Sequence, residues 1–220
     1  MTTYVEMQTL IADELLDSGA ITVAQIKSKI QSAIRHYQRK PFYFNQKKAS
    51  TFSTVASQEY YTSTDLADIP NILKFDGFVI GSSKNPVKKV DFDTIDALQT
   101  GTVTGEPIWY AYYNQKIRLY PIPNAVYTAT LAYVYRLTAL SADGDTNAWV
   151  DEVDAEELIR QSAKRLIALD ILHSDEIAIR CFNREAEVFD ELKAETMRRG
   201  ETELRVDWPF NVSGIEEWRT

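Results

Sequence analysis

Oxygen-bearing side chains alternate along residues 143–147 in a pattern that could bind a cation. Asp143, Asp145 and Asn147 have the one-three-five spacing with which a calcium-binding loop begins. The sixth position of such a loop needs a glycine for its sharp turn, and the twelfth is usually a bidentate glutamate. Ala148 and Asp154 occupy those positions. The segment is therefore predicted to be a solvated loop that caps the next helix, with no metal.

Histidine and cysteine are too sparse to indicate a catalytic centre. His36 and His173 are the only histidines and lie in different predicted helices, and Cys181 is the only cysteine. His173 is expected to meet the last carbonyl groups of a helix, and Cys181 to be a small buried apolar group. The phosphate-binding, nucleophile-elbow and zinc-protease motifs are absent from the sequence. We predict that the chain is not an enzyme and needs no cofactor.

Carboxylates are too numerous to identify a hydrolase site, because 32 acidic residues allow many pairs at a glycosidase spacing. Asp170 is the exception that attracts notice. It lies within the apolar arc of a predicted helix, where a carboxylate would be buried and paired with Arg180 or Arg35.

The charge balance of the chain also limits its function. The 220 residues carry 24 basic and 32 acidic side chains, a net charge of −8, which argues against a surface that grips nucleic acid phosphates. Passive contact with DNA still fits, because a channel through which DNA slides is better lined by repelling or neutral groups. With no apolar run of about eighteen residues and an acidic start, the sequence predicts a soluble protein with no membrane partner.

Helical patterns occupy both ends of the chain. A short first helix precedes Asp17-Ser18-Gly19, and a second, over Thr22–Lys40, begins with a Thr22/Gln25 capping box and stops before Pro41. Two long helices follow near the C-terminus, over Glu156–Leu172 and from Ser174 to Gly200. The apolar residues of the last helix spread beyond one stripe, so it is expected to contact a neighbouring subunit through Ile177, Phe182 and Phe189.

Between the helices, short β-branched and aromatic runs alternate with turn residues. The strongest strand patterns lie in the second half of this region and weaker ones precede them, and Asn114-Gln115 is short enough to join the first two strong strands as a hairpin. The strong strands are Ile108–Tyr113, Lys116–Tyr120 and Tyr127–Arg136, and the weaker ones are Ala49–Phe52, Glu59–Thr62, Phe75–Ile80 and Val87–Val90.

These patterns predict an α+β fold in which N- and C-terminal helices form one bundle around an inserted antiparallel β domain. The expected parts are 1–45 and 141–200 for the bundle, 46–140 for the β domain, and 201–220 for an extended arm. Trp208, Pro209, Phe210 and Trp218 in the arm lack periodicity and need a partner surface. The alternative is a tail folded back over the chain's own helices.

Several short strings lie in a fixed order over roughly residues 20–200. They are Arg39-Lys40-Pro41-Phe42-Tyr43-Phe44-Asn45, Gly105-Glu106-Pro107 followed by Ile108 and Tyr110, Leu119-Tyr120-Pro121-Ile122-Pro123, Tyr127, Tyr133-Val134-Tyr135-Arg136, and Leu140 through Asp145-Thr146-Asn147-Ala148-Trp149. Their order resembles that of the head-to-tail adaptor, or connector, proteins of short-tailed bacteriophages.

The resemblance implies a structural virion protein at the head-tail junction, assembled in the host cytoplasm. It implies a homo-oligomeric, dodecameric ring that binds the portal protein and contacts nozzle or fibre proteins of the tail. From its unpartnered aromatic residues, we predict that the arm is the segment that docks on the portal. DNA would pass through the ring during ejection. Two alternatives from other classes are a virion-associated cell-wall hydrolase and a monomeric β-domain module that binds a host or tail protein.

Overall fold

The computed structural model describes residues 2–15, 21–99 and 101–203, the last three by their backbone alone. Its six α-helices lie at the ends of the chain, except for α3, which lies within the β region. They are α1 Tyr4–Glu14, α2 Val23–Tyr37, α3 Phe92–Leu98, α4 Ala148–Asp151, α5 Val153–Ile167 and α6 Asp175–Glu203. A π-helical turn over Ala168–Leu172 joins α5 to α6.

The first two helices begin with side chains that satisfy free backbone N–H groups. Thr22 and Gln25 form the predicted capping box at the start of α2, and Thr3 and Glu6 form a second one at the start of α1. Helix α2 ends at Tyr37, and Gln38–Lys40 form the turn that precedes Pro41.

The predicted packing of N- and C-terminal helices is confirmed. One hydrophobic core contains side chains from α1, α2, α4, α5 and α6, which we call the bundle. Its largest buried side chain is Trp149, which contacts Phe42 and Phe44 edge to face at ring distances of 5.8 and 4.9 Å. Both phenylalanines follow α2, so the aromatic segment after that helix forms part of the bundle core.

Residues 46–135, which we call the β domain, form two four-stranded sheets with a shared core and one two-stranded sheet. The strands run in the orders β1-β10-β3-β4, β2-β8-β7-β5 and β6-β9. Their bounds are β1 Gln46–Ser53, β2 Tyr60–Tyr61, β3 Ile72–Ile80, β4 Asn85–Pro86, β5 Lys88–Lys89, β6 Thr104–Gly105, β7 Trp109–Tyr113, β8 Lys116–Tyr120, β9 Ile122–Pro123 and β10 Thr128–Tyr135.

The predicted hairpin is present, and one face of the last strand is turned into the core. Asn114 and Gln115 have φ values of 48° and 59°, as a two-residue turn between antiparallel strands requires. Alternate residues of β10 point into the β core, where Ala129, Leu131 and Tyr133 are fully buried.

The structure differs from the sequence-based expectation at several places. Helix α3 was not predicted, and the pairs β5–β7 and β6–β9 are parallel within an otherwise antiparallel domain. Helix α6 was expected to stop at Gly200 but continues to Glu203. Glycine lowers helix stability by about 1 kcal/mol and ends a helix only where the backbone turns left-handed, so a long helix can pass through it.

Candidate assembly surfaces

Helix α6 presents two different faces along its length. Ala178, Cys181, Glu185, Val188 and Leu192 recur every three or four residues and are buried against the bundle. A second set is apolar but exposed: Ile179, Phe182 and Met197 have 61%, 57% and 58% of their surface open to solvent, and Ala186 lies between them. On a helix of 3.6 residues per turn these four lie within about 60° of one another. We call them the α6 stripe.

The three predicted interface residues occupy different surroundings. Phe182 belongs to the α6 stripe, and the Arg165 guanidinium lies 5.9 Å from its ring centre. Phe189 is half-buried, because its ring packs on Tyr37 and Phe42 at 5.9 and 6.0 Å and the Lys40 ammonium lies over it at 4.5 Å. Sequence reasoning did not select Ile179 or Met197 for this surface, although both lie on the same helical face as Phe182.

Ile177 is half-buried at the edge of a cleft of about 510 Å³ on the other side of α6. The cleft is rimmed by Arg160, Lys164, Arg180 and Arg184, together with Glu14 and Glu157. Glu14 pairs with Lys164 and Arg160, and Glu157 pairs with Arg160 and Arg184, so three of these four cations are neutralised within the chain.

A buried carboxylate joins α6 to two other helices. Glu185 is 3% exposed, accepts a 2.6 Å hydrogen bond from the Tyr37 hydroxyl, and pairs with the Arg165 guanidinium. Burial alone would raise the pKa of this carboxyl, but hydrogen bonds from Arg165, Tyr37 and Ser162 hold its pKa below the ordinary value. Burial, and then the hydrogen bond to Glu185, raises the pKa of Tyr37. The contact fixes how α2, α5 and α6 face one another.

A family model described as SU10 adaptor protein matches residues 2–207, nearly the whole chain. The chain belongs to the SU10 adaptor protein family. Membership confirms the resemblance seen in the sequence and identifies the protein as a structural phage adaptor, which places it in the virion. No curated protein matches the chain.

In the loop that resembles the start of a calcium site, the side-chain oxygens bind other groups of the adaptor itself. Asp145 accepts backbone N–H groups of Ser141 and Ala142 at 2.6 and 2.7 Å, which lowers its pKa. Asp143 pairs with Lys27 at 2.7 Å, and Asn147 caps α4. Within the described ranges, no group of three or more histidine, cysteine or acidic side chains is placed to hold a metal ion.

The remaining singled-out residues also have structural partners. His173 Nδ1 lies 3.2 Å from the Leu169 carbonyl at the end of the π-helical turn, as predicted, and His36 packs edge to face on Tyr37. Cys181 is buried as predicted, and burial raises the pKa of its thiol.

The expectation for Asp170 was wrong. Its side chain is 53% exposed and pairs with Lys29, not with Arg180 or Arg35. Asp170 lies in the π-helical turn, whose wider coil shifts the helical phase and turns this residue away from the apolar face.

The predicted arm anchors Trp208, Pro209, Phe210 and Trp218 lie outside the described residues. In the part of the chain that the structure does describe, no helix is both long enough and apolar enough to cross a membrane.

Proposed function

We propose that this adaptor forms a dodecameric ring that binds the portal, connects it to the tail and continues the DNA channel. The match of the family model over residues 2–207 carries the proposal. In this arrangement the protein is not an enzyme, needs no cofactor, and is assembled onto the portal in the host cytoplasm.

Ring closure uses the outward side of α6. The α6 stripe supports this role, because apolar side chains that are more than half exposed along several turns of a helix are costly to leave in water. A ring needs a heterologous contact, in which one face of a subunit meets a different face of its neighbour. Phe182 would lie near the centre of the contact and Phe189 at its margin, whereas Ile177 lies on the other side of α6, outside this contact.

Portal binding uses the arm that follows α6. Trp208, Pro209, Phe210 and Trp218 supply large apolar surfaces suited to anchoring in pockets of a partner. The seventeen residues 204–220 span at most roughly 56–61 Å when extended, enough to pass from one subunit onto a neighbouring protein.

The β domain would contact nozzle or fibre proteins of the tail, while the bundles surround the DNA. A net charge of −8 supports a channel role with passive DNA contact, because attraction to phosphates would slow passage.

The test combines purified adaptor with purified portal rings, followed by sedimentation and electron microscopy. We expect a complex with an added ring for the full chain, and none for a chain that ends at Glu203 but retains the melting temperature of the full chain. A truncated chain that saturates portal with unchanged affinity would exclude the arm. Absence of any complex with the full chain, or clearing of peptidoglycan on a zymogram, would overturn the adaptor assignment.

A further inference from the structure

Strand β1 has one edge bonded to β10 and one free edge. It lies at the end of its sheet, and β10 is the strand with which it pairs among the described residues. The Thr54 N–H donates to the Tyr127 carbonyl, which precedes β10, at 2.9 Å, so the backbone groups of Thr54 point toward that strand. The N–H and C=O groups of alternate residues point to opposite sides of an antiparallel strand. Those of Thr51 and Ser53 therefore point away from β10.

The outward backbone groups of Thr51 and Ser53 are free and accessible. No described residue forms a hydrogen bond with them, and both residues are exposed. The β-bulge of this strand lies between Lys47 and Ser50, so the edge is regular from Ser50 to its end. A regular edge with unpaired donors and acceptors is the pattern to which a further strand adds.

The C-terminal end of α6 lies beside this strand. The Thr196 hydroxyl accepts a hydrogen bond from the Tyr43 N–H at 3.3 Å, and one turn later a Cβ added at Gly200 would lie 3.5 Å from the Lys48 Nζ atom. Helix α6 therefore runs in the same direction as β1, toward Thr51. Because each strand residue rises about 3.3 Å, Thr51 lies roughly 10 Å beyond Lys48 along the strand. The chain that follows α6 begins within reach of the free edge.

The first residues after α6 have the pattern of a strand. The arm has no period over its whole length, but apolar and other residues alternate over its first seven positions, as is typical of a strand. The apolar ones are Leu204, Val206, Trp208 and Phe210, and the others are Arg205, Asp207 and Pro209. Proline fits at a sheet edge where its side without an N–H faces solvent. Pro209 has that orientation if the even-numbered residues bond to β1.

We propose that residues 204–208 add to the free edge of β1 of the same chain as a parallel strand. Thr51 would bond through its N–H and C=O to the first and third residues of the added strand, and Ser53 to the third and fifth. The occupant is the chain's own arm, because it begins beside the edge. Its effective concentration there is far above that of a free partner.

The added strand would also orient the portal anchors. Side chains two residues apart lie on the same face of a strand, so Trp208 and Phe210 would project together. A segment held in one orientation loses less entropy when it binds a partner. This role rests on the proposed binding of the arm to the portal, whereas the strand itself can be tested without portal.

The test measures hydrogen exchange of single amides by NMR, in the full chain and in a chain that ends at Glu203. We expect the amides of Thr51 and Ser53 to exchange at least about tenfold more slowly in the full chain. The Phe52 amide points toward β10 in both chains and is the internal control. If Thr51 and Ser53 exchange at equal rates in the two chains, strand addition is refuted.

A matched pair of proline substitutions tests the register. Val206→Pro removes the N–H of the third added residue, which would bond to β1, so the protection of Thr51 and Ser53 should be lost. Asp207→Pro removes an N–H that would face solvent, so most of the protection should remain. The same effect of both prolines, whether loss or retention, would contradict the proposed pairing.

Dilution distinguishes the chain's own arm from that of a second copy. Protection within one chain should persist on about hundredfold dilution, and its loss would overturn the assignment to the same chain. Portal is absent from these experiments. A failed strand therefore leaves portal binding and ring closure to their own test, and a failed portal complex leaves the strand to this one.

Discussion

The bundle and the β domain achieve burial by different means. The bundle joins residues that are more than a hundred positions apart, such as Ile30 and Leu158, and it encloses the paired charge of Glu185. The β domain is one continuous segment whose core is apolar and aromatic; its buried charge, Arg118, pairs with Glu59 and Asp96, and the Tyr133 hydroxyl also reaches a carboxylate. This carboxylate belongs to Asp68, which also binds Lys47.

The folds of the two regions therefore depend on different interactions. The β domain depends on alternation within its strands, and its two longest pairings, β1 with β10 and β3 with β10, join strands that are distant within that one segment. The bundle depends on packing between helices from the two ends of the chain. The Glu185 contact defines one arrangement of α2, α5 and α6. Because burying its charges is costly, it contributes less to net stability than its short distances suggest. The α6 stripe lies on the bundle.

The largest effect is expected from Glu185→Ala. Removing one partner of a buried pair leaves the Arg165 guanidinium and the Tyr37 hydroxyl without their acceptor, so the free energy of unfolding should fall by about 3–5 kcal/mol. Urea unfolding followed by circular dichroism measures this. Glu187→Ala, on the exposed side of α6, is the control and should change little. A loss below about 1 kcal/mol would show that the bundle does not depend on this charge.

The pairing of Glu185 with Arg165 and Tyr37 also predicts that the stability of the fold depends on pH. Because the folded pKa of Glu185 lies below its ordinary value of 4.5, its ionised form stabilises the fold above that value. The contribution is lost as the pH falls from 4.5 through the lowered folded pKa. The difference in stability between the parent and Glu185→Gln should therefore shrink over that acidic window, as measured by urea unfolding at several pH values.

In the β domain, Leu131→Ala should cost about 2–5 kcal/mol, because Leu131 is fully buried in β10. If the bundle and the β domain unfold independently, Leu131→Ala should raise the hydrogen exchange rates of β1, β3 and β10 more than those of α2 and α5. Val126→Ala, at a residue that is 70% exposed, provides the control. A uniform rise across both regions would show that they unfold as one unit.

A smaller change of opposite sign is expected from Gly200→Ala. Helix α6 continues through this position, and an added Cβ would meet the Lys48 Nζ atom at 3.5 Å, an ordinary contact. Alanine should therefore raise the free energy of unfolding by about 0.4–1 kcal/mol. A decrease would mean that α6 needs the conformational freedom of glycine near its end.

The smallest effect on stability is expected from Phe182→Asp, which changes an exposed residue of the α6 stripe. Unfolding of the free chain should shift by no more than about 0.5 kcal/mol, yet ring formation on the portal should be lost. Sedimentation with portal rings measures assembly. Val153→Asp, at a residue that is 80% exposed on α5, should assemble normally. Intact rings with Phe182→Asp would exclude the α6 stripe from the subunit contact.

Local patterns in the sequence determined a large part of this adaptor. The capping box of Thr22 and Gln25 and the two-residue turn at Asn114-Gln115 each depend on groups within a few positions of one another. The inward face of β10 follows from the two-residue period of a strand. Such features are readable because the physical cause and its effect lie in the same short segment.

The tertiary structure decided what depends on distant contacts or on the phase of an element. Asp170 was expected inside, but one π-helical turn rotated it to Lys29, and no spacing in the sequence specifies that turn. Helix α3 is short and contains two aspartates, so its intrinsic helix propensity is weak. The burial of Ile95 in the folded chain stabilises it. The partners of Glu185 and the exposure of Ile179 exist only once both ends of the chain have met, because each is defined by what packs beside it.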